Sequence, residues 1–319
     1  MACFHPVWAR LPPVGAVDRR FKFLPARQGE PEGTSLQVAC GQCIGCRLDW
    51  SRQWKLRGML ELQAQPDGAE NWFVTATYSN EALPPDRSVC LRDVQLWLKR
   101  MRHEGARFSY MIAAEYSPAP AVRPHYHGIF FDLRLDRSTF IPWGSGKNGE
   151  ALFRAPGLEA SWGRGFVVVG AVAPQSIGYV VDYSVKKVMG READAEYGRT
   201  AIDEMTGALR HWKVLPPFFI SSRRPSIGRR WFDRFWRDAF PSEKIVLDGV
   251  VYTPPDYFYS LLSKQDPAMF ELVCEARLDR ALEFARSEES SPGRLATKAE
   301  SRELKAGRLI RSGGSEEGA

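Results

Sequence analysis

The 319-residue chain holds no apolar run near the ~18 residues that span a bilayer, so no membrane partner is expected. Its first residues, MACFHPVWARLPP, lack the apolar stretch of a secretory signal. Six cysteines are too few to staple a chain of this length, which points to reduced thiols rather than a disulfide framework. No phosphate-binding loop of the G-x-x-x-x-G-K-[ST] type is present, so no ATP-driven motor is expected. No internal repeat is visible. Neither sign of charge dominates: 44 basic against 38 acidic side chains leave a net charge of +6. That excess favours a polyanionic partner over a small acidic substrate.

What is present is unevenly placed. Hydrophobic residues make up 44%, enough for a substantial core. Residues 1–38 are rich in Pro, Gly and Arg and read as irregular. Residues 47–64 have helical apolar spacing, with Leu48, Trp54, Leu56, Met59, Leu60 and Leu62. Residues 71–78 (NWFVTATY) read as a strand, 89–103 as a helix, and 108–116 as a second strand. A Pro-rich turn then leads into a third strand, 125–133, most simply paired antiparallel with the second. Residues 134–164 read as loop or short helix, 165–172 as a fourth strand, and 176–189 as a helix. Residues 190–207 are polar and loose in pattern, 231–239 aromatic and helical. Residues 281–319 suggest an exposed helix with a disordered tail. The order predicts an α+β fold, an antiparallel sheet flanked by helices. Three regions are expected: a Cys-containing segment and helix (1–66), a central domain (67–240) and a helical extension (241–319).

The most informative segment is RPHYHGIFF at 123–131. Residues two apart on a strand face the same way, so His125 and His127 project together and Tyr126 points to the other face. Two adjacent imidazoles can ligate one divalent ion, and Gly128 is read as leaving room beside them. Glu115, ending the preceding strand, is the candidate third ligand. A His/His/Glu set suits Mn²⁺ or Mg²⁺ on a phosphate oxygen. Among only five histidines the pairing is notable; taken alone, two exposed strand histidines explain it equally well.

The helix at 176–187 reads SIGYVVDYSVKK. Tyr179 and Tyr183 are one turn apart and share a face, with Lys186 and Lys187 beyond. A phenol with a pKa near 10 needs help to attack a phosphodiester, and a lysine and a metal can give it. Helix packing is the competing explanation. Upstream, Cys40, Cys43 and Cys46 form C-x-x-C-x-x-C, a spacing that can share Zn²⁺, with Cys3 or His5 as the fourth ligand. Reduced thiols in a Gly-rich turn, or an iron–sulfur cluster, are the other readings. Downstream, residues 221–237 mix six arginines with Trp231, Phe232, Phe235 and Trp236. The aromatics, Trp231 and Phe235 foremost, read as packing. Arg223, Arg224, Arg229 and Arg230 read as DNA contacts.

Together these segments resemble the HUH superfamily of replication initiators. More narrowly, they resemble the replication initiation proteins of microviruses, single-stranded DNA bacteriophages of the gokushovirus type. The resemblance rests on CGQCIGCR at 40–47 with Trp54, NWFVTATY at 71–78 with the Pro pair after it, and Glu115 with RPHYHGIFF. Tyr179 to Lys187 and SRRPSIGRRWFD at 222–233 complete it. It covers residues 3–240 and leaves the last 80 outside. It implies an HUH endonuclease-like fold with a ferredoxin/RRM-like core and a metal-dependent nick in single-stranded DNA at the phage replication origin. It further implies a 5′-phosphotyrosine link with a free 3′-OH, later religated. Tyr179, Tyr183 and Lys186 map onto the catalytic positions. A host helicase and DNA polymerase, in the bacterial cytoplasm, are the implied partners. One departure is Asp182, where such proteins often carry a lysine; it sets Tyr179 apart from Tyr183. A relaxase or transposase of the same superfamily, or a non-catalytic zinc-stabilised DNA-binding protein, would share parts of this pattern.

Overall fold

The computed structural model describes residues 3–10, 22–23, 35–117, 123–146, 149–186, 193–202 and 207–314. Contacts divide the chain into two compact units. One takes Met1–Gln53, Phe240–Glu243 and Tyr259–Ala319; the other takes Trp54–Ala239 and Lys244–Phe258.

In the first unit β1 (Val7–Arg10) lies between β2 (Lys22–Phe23) and β3 (Ser35–Val38), antiparallel to both. The expectation of irregular structure through residue 38 is corrected here. The Pro and Gly content hid short strands whose paired backbone needs little side-chain signal. Residues 11–21 and 24–34 lie outside the described set. Helix α1 (Ile44–Gln63) follows as the apolar spacing predicts, beginning in the Cys segment.

The second unit is built on a seven-stranded antiparallel sheet. Along the chain come β4 (Trp72–Tyr78), α2 (Leu91–His103), β5 (Ser109–Tyr116), β6 (Pro124–Phe131), β7 (Ile141–Ser145), β8 (Ala151–Arg154), α3 (Pro156–Trp162), β9 (Gly165–Ala171) and α4 (Pro174–Lys186). After these come α5 (Ala193–Tyr197), β10 (Gly198–Ile202), β11 (Leu209–Lys213), β12 (Phe219–Ser221), α6 (Arg229–Ala239), β13 (Ile245–Leu247) and β14 (Val250–Tyr252). The spatial order is β12-β5-β6-β4-β9-β8-β7. Within it, β5-β6-β4-β9 with α2 joining β4 to β5 is the split βαβ arrangement of a ferredoxin-like core. The predicted α+β class and antiparallel sheet are therefore correct.

Three local expectations need correction. Residues 134–164 contain the β7–β8 hairpin, which extends the sheet. All five β7 residues are exposed, so no apolar alternation marked the strand. The polar stretch 190–207 contributes α5 and β10, the latter paired with β11. The charged C-terminal region is helical: α7 (Asp256–Gln265), α8 (Pro267–Arg286) and α9 (Pro292–Gly314). The expected tail at 315–319 lies outside the described residues.

Strand alternation sorts the second unit into two cores. Trp72, Val74, Ala76 and Tyr78 of β4, with Ile112, Tyr126, Phe130 and Val167, pack against Val94, Trp97, Leu98 and Met101 of α2 and Leu158 and Trp162 of α3. On the opposite face Met111, Ala113, Ile129 and Phe131 pack against Ile177, Val180 and Val181 of α4, with Trp54, Met59 and Leu62 of α1 beside them. Gly58 is what lets α1 sit this close. A Cβ there would stand 2.7 Å from Ile177 Cγ2 and 3.2 Å from Met111 Sδ, both fully buried residues. Alanine would add about 1 kcal/mol of helix propensity but cost about 1–3 kcal/mol of overpacking, so glycine wins. The same α1 fastens residues 226–228. Arg57 donates to Ile227 O and Ser226 Oγ, and the buried Glu61 accepts from Gly228 N and Ser109 Oγ. Burial lowers the Arg57 pKa to about 10.

Candidate active site

The antiparallel register of β5 and β6 sets Glu115 opposite His125 and Ala113 opposite His127. The register of β4 and β6 sets Thr75 opposite His127 and Thr77 opposite His125. All of these point to the α4 face. Small Ala113 leaves the space that Glu115 and the two imidazoles share. Glu115 Oε2 is 3.3 Å from His125 Nε2 and 3.4 Å from His127 Nε2. The three side chains are only 8–16% exposed.

The outer nitrogens orient the inner ones. His125 Nδ1 stands 3.2 Å from the Arg123 carbonyl, which can only accept, so Nδ1 carries the proton. His127 Nδ1 is 3.0 Å from Thr75 Oγ1, which pins its ring. Both Nε2 atoms are thereby aimed at Glu115 as a metal-binding pair would be. Burial alone pushes the Glu115 carboxyl up. Hydrogen bonds and charge from both histidines more than offset it and hold the pKa at about 2. The donor set fits a divalent ion: one carboxylate oxygen and two imidazole nitrogens lie within 4.8 Å of one another. Ligands of an ion with bonds of about 2.1 Å stand about 3 Å apart when adjacent, close to the spacing here.

One expectation is overturned. Gly128 does not open space beside the histidines. It points to the opposite face, where a Cβ would meet Phe130 and Ile112 at 3.0 and 3.1 Å. It is tight packing on that face that requires glycine. Tyr126 lies there too, fully buried, bonded to Tyr78 Oη at 2.9 Å and accepting from Cys90 N at 2.7 Å. Burial pushes its phenol further up, so it is a structural tyrosine.

Helix α4 brings Tyr179 to the site. Its ring meets His127 edge-on, with centroids 5.1 Å apart, while Phe73 stacks on the other side of that imidazole at 5.8 Å. Tyr183 and Lys186 lie on the same helix, one and two turns further on. Asp182 is met by a residue that no motif singled out. Lys55 of α1 donates to its carboxylate at 2.7 Å. A cation therefore stands where such helices often carry their own lysine. With 127 positions between the partners, no local pattern could have revealed it.

The family model described as replication-associated protein, of the ORF2 kind, matches residues 71–188. Those bounds run from β4 through α4 and contain every residue of the site just described except Lys55. Replication-associated protein VP4 of Bdellovibrio phage phiMH2K is 26% identical over 84% of this chain and 79% of its own length. ORF2 of Spiroplasma virus 4 is 32% identical over 47% of the chain, and ORF4 of Chlamydia phage 1 is 24% identical over 72%. This chain is a relative of the microviral replication-associated proteins. It spans about half the length of the Spiroplasma and Chlamydia phage relatives, 48% and 54%. No solved structure matches it.

In this microviral relative the four arginines singled out from sequence divide into two kinds. Arg223 and Arg224 are exposed at the turn before α6. Arg229 is paired with Asp233 at 2.6 Å, and Arg230 donates to Gln65 at 2.7 Å. Of the aromatics, Trp231, Phe232 and Trp236 are buried, as helical packing requires. Phe235, expected to pack, is 38% exposed.

Thr75 tests the orientation argument. Thr75→Val keeps the shape of β4 but removes the hydroxyl that holds His127 Nδ1. Calorimetric titration with Mn²⁺ should show binding weakened about 10- to 100-fold with thermal stability little changed. Unchanged affinity would mean that His127 needs no such partner.

Proposed function

We propose that this chain initiates phage DNA replication by nicking one DNA strand and joining itself to the 5′ side of the break. The observation that carries this reading is the contact between the Tyr179 ring and His127, within the Glu115–His125–His127 cluster. The relatives' names, which are those of replication-associated proteins, agree with it. A non-catalytic DNA-binding role accounts for neither the buried carboxylate between two oriented imidazoles nor the tyrosine against them.

Glu115, His125 and His127 would hold Mn²⁺ or Mg²⁺, which when bound supplies charge neutralisation at the scissile phosphate. The protein's own part is nucleophilic substitution. A tyrosine oxygen forms a bond to phosphorus as the bond from phosphorus to the 3′ oxygen breaks. The phenol proton ends on the departing oxygen, leaving a free 3′-OH and a 5′-phosphotyrosine. One phosphodiester replaces another, so a 3′-OH can reverse the step and rejoin the strand. Lys55 and Lys186 act as cations that favour phenolate and offset phosphate charge. Two tyrosines one turn apart allow a second transfer while the first link persists. The free 3′-OH then needs a host polymerase and helicase in the bacterial cytoplasm, since the chain has no nucleotide-binding loop of its own.

The direct test is incubation with single-stranded origin DNA and Mn²⁺, followed by denaturing electrophoresis. The native chain should give a protein–DNA adduct that survives denaturant. Tyr179→Phe combined with Tyr183→Phe should abolish it, and a surviving adduct would remove both tyrosines from the chemistry.

Arg223 and Arg224 are proposed to hold the DNA backbone, more than Arg229 and Arg230, which have partners within the protein. Replacing both Arg223 and Arg224 with Ala should flatten the dependence of log K on log salt by about 0.7 per charge removed. An unchanged slope would place the backbone contacts elsewhere.

A further inference from the structure

We infer that Cys3, Cys40, Cys43 and Cys46 bind one zinc ion in a closed, structural site that is independent of the proposed nicking centre. The sulfur atoms of all four lie within 4.8 Å of one another. Cys43 Sγ is 3.6 Å from Cys46 Sγ and 3.9 Å from Cys3 Sγ, and Cys40 Sγ is 4.0 Å from Cys46 Sγ. Zinc–sulfur bonds of about 2.3 Å in a tetrahedron give edges of about 3.8 Å, which these distances bracket. They are far beyond the about 2.05 Å of a disulfide. They also leave room for one ion rather than a cluster of iron and sulfide.

The backbone around the sulfurs is arranged for thiolates. Phe4 N donates to Cys43 Sγ, Cys40 N to Cys3 Sγ, and both Gln42 N and Cys43 N to Cys40 Sγ. Such N–H groups favour the charged sulfur. Thiolates crowded this closely repel strongly unless a cation sits among them. Cys3 is 2% exposed, whereas His5, the other sequence candidate for the fourth position, is exposed. The set is therefore all sulfur and leaves no open coordination position, which marks a structural rather than a catalytic zinc.

The local fold shows what the ion would secure. The β1–β3 ladder ends at Val7 opposite Val38, so Cys3 and Cys40 leave the same end of it. Cys43 and Cys46 lie one turn apart where the chain enters α1. The ion would tie the end of a small three-stranded sheet to the start of that helix. Among the described residues neither the β1–β2 nor the β1–β3 pairing exceeds four positions, so a metal crosslink is a substantial addition.

The experiment is elemental analysis and zinc-edge X-ray absorption on the full chain purified without chelator, in native, His125→Ala and Cys3→Ser forms. The native protein should carry one tightly held zinc per chain with four sulfur neighbours at about 2.3 Å. The His125→Ala form should give the same signal, which separates this site from the Glu115–His125–His127 cluster. Cys3→Ser should replace one sulfur by a lighter neighbour and release zinc to a chromogenic chelator at least tenfold faster. Absence of bound zinc, nitrogen or oxygen in the native shell, iron in its place, or a zinc signal lost with His125 would each overturn the inference. The native spectrum decides the matter even where Cys3→Ser fails to fold.

Discussion

The site depends on one constraint, the two-residue period of β-strands held in antiparallel register. Because β5, β6 and β4 pair without slippage, Glu115, His125, His127 and Thr75 converge on one face. A shift of one residue in β6 would send both histidines into the aromatic core around Trp97 and Trp162 and bring Tyr126 to the α4 face. The register is enforced by burial on both sides. Tyr126 and Phe130 fill the α2/α3 core, while Ile129 and Phe131 fill the core under α4. A slip would place imidazoles among apolar side chains and remove Tyr126 from its bonds to Tyr78 and Cys90. Each buried polar group left unmet costs about 1–3 kcal/mol, and the cost would fall on several groups at once.

The same constraint gives two tyrosines of opposite character. Tyr126, between the histidines in sequence, is sealed into a hydrogen-bonded core where burial disfavours its phenolate. Tyr179, some fifty residues away, arrives on a helix that packs over the histidine face. Its ring shares His127 with Phe73, so the imidazole is held edge and face as well as through Thr75. Lys55 reaches the same helix from α1 and pairs with Asp182. The close approach permitted at Gly58 is what brings α1 and α4 into that range.

Much of this was legible in the sequence because it is periodic. The H-x-H spacing gave the shared face, the strand before it supplied Glu115, and the apolar spacing gave α1, α2 and α4. What was not legible was either aperiodic or distant. Strand β7 is wholly exposed, so it has no apolar alternation to read, and β1 to β3 are hidden by Pro and Gly. Gly128 was assigned to the wrong face although the same alternation places it with Tyr126. Phe235 was expected to pack as Trp231 does, yet the helix buries Trp231, Phe232 and Trp236 and turns Phe235 outward. Thr75 and Lys55 have no motif of their own. Each matters through a partner 52 or 127 positions away.

The central claim is that Glu115, His125 and His127 act as one metal centre. Its most direct measurement is the electron–nuclear double resonance spectrum of bound Mn²⁺ in protein carrying ¹⁵N-labelled histidine. The account predicts one bound ion coupled to two imidazole nitrogens, with one coupling lost in each of His125→Ala and His127→Ala. A single nitrogen coupling, or none, in the native protein would contradict it.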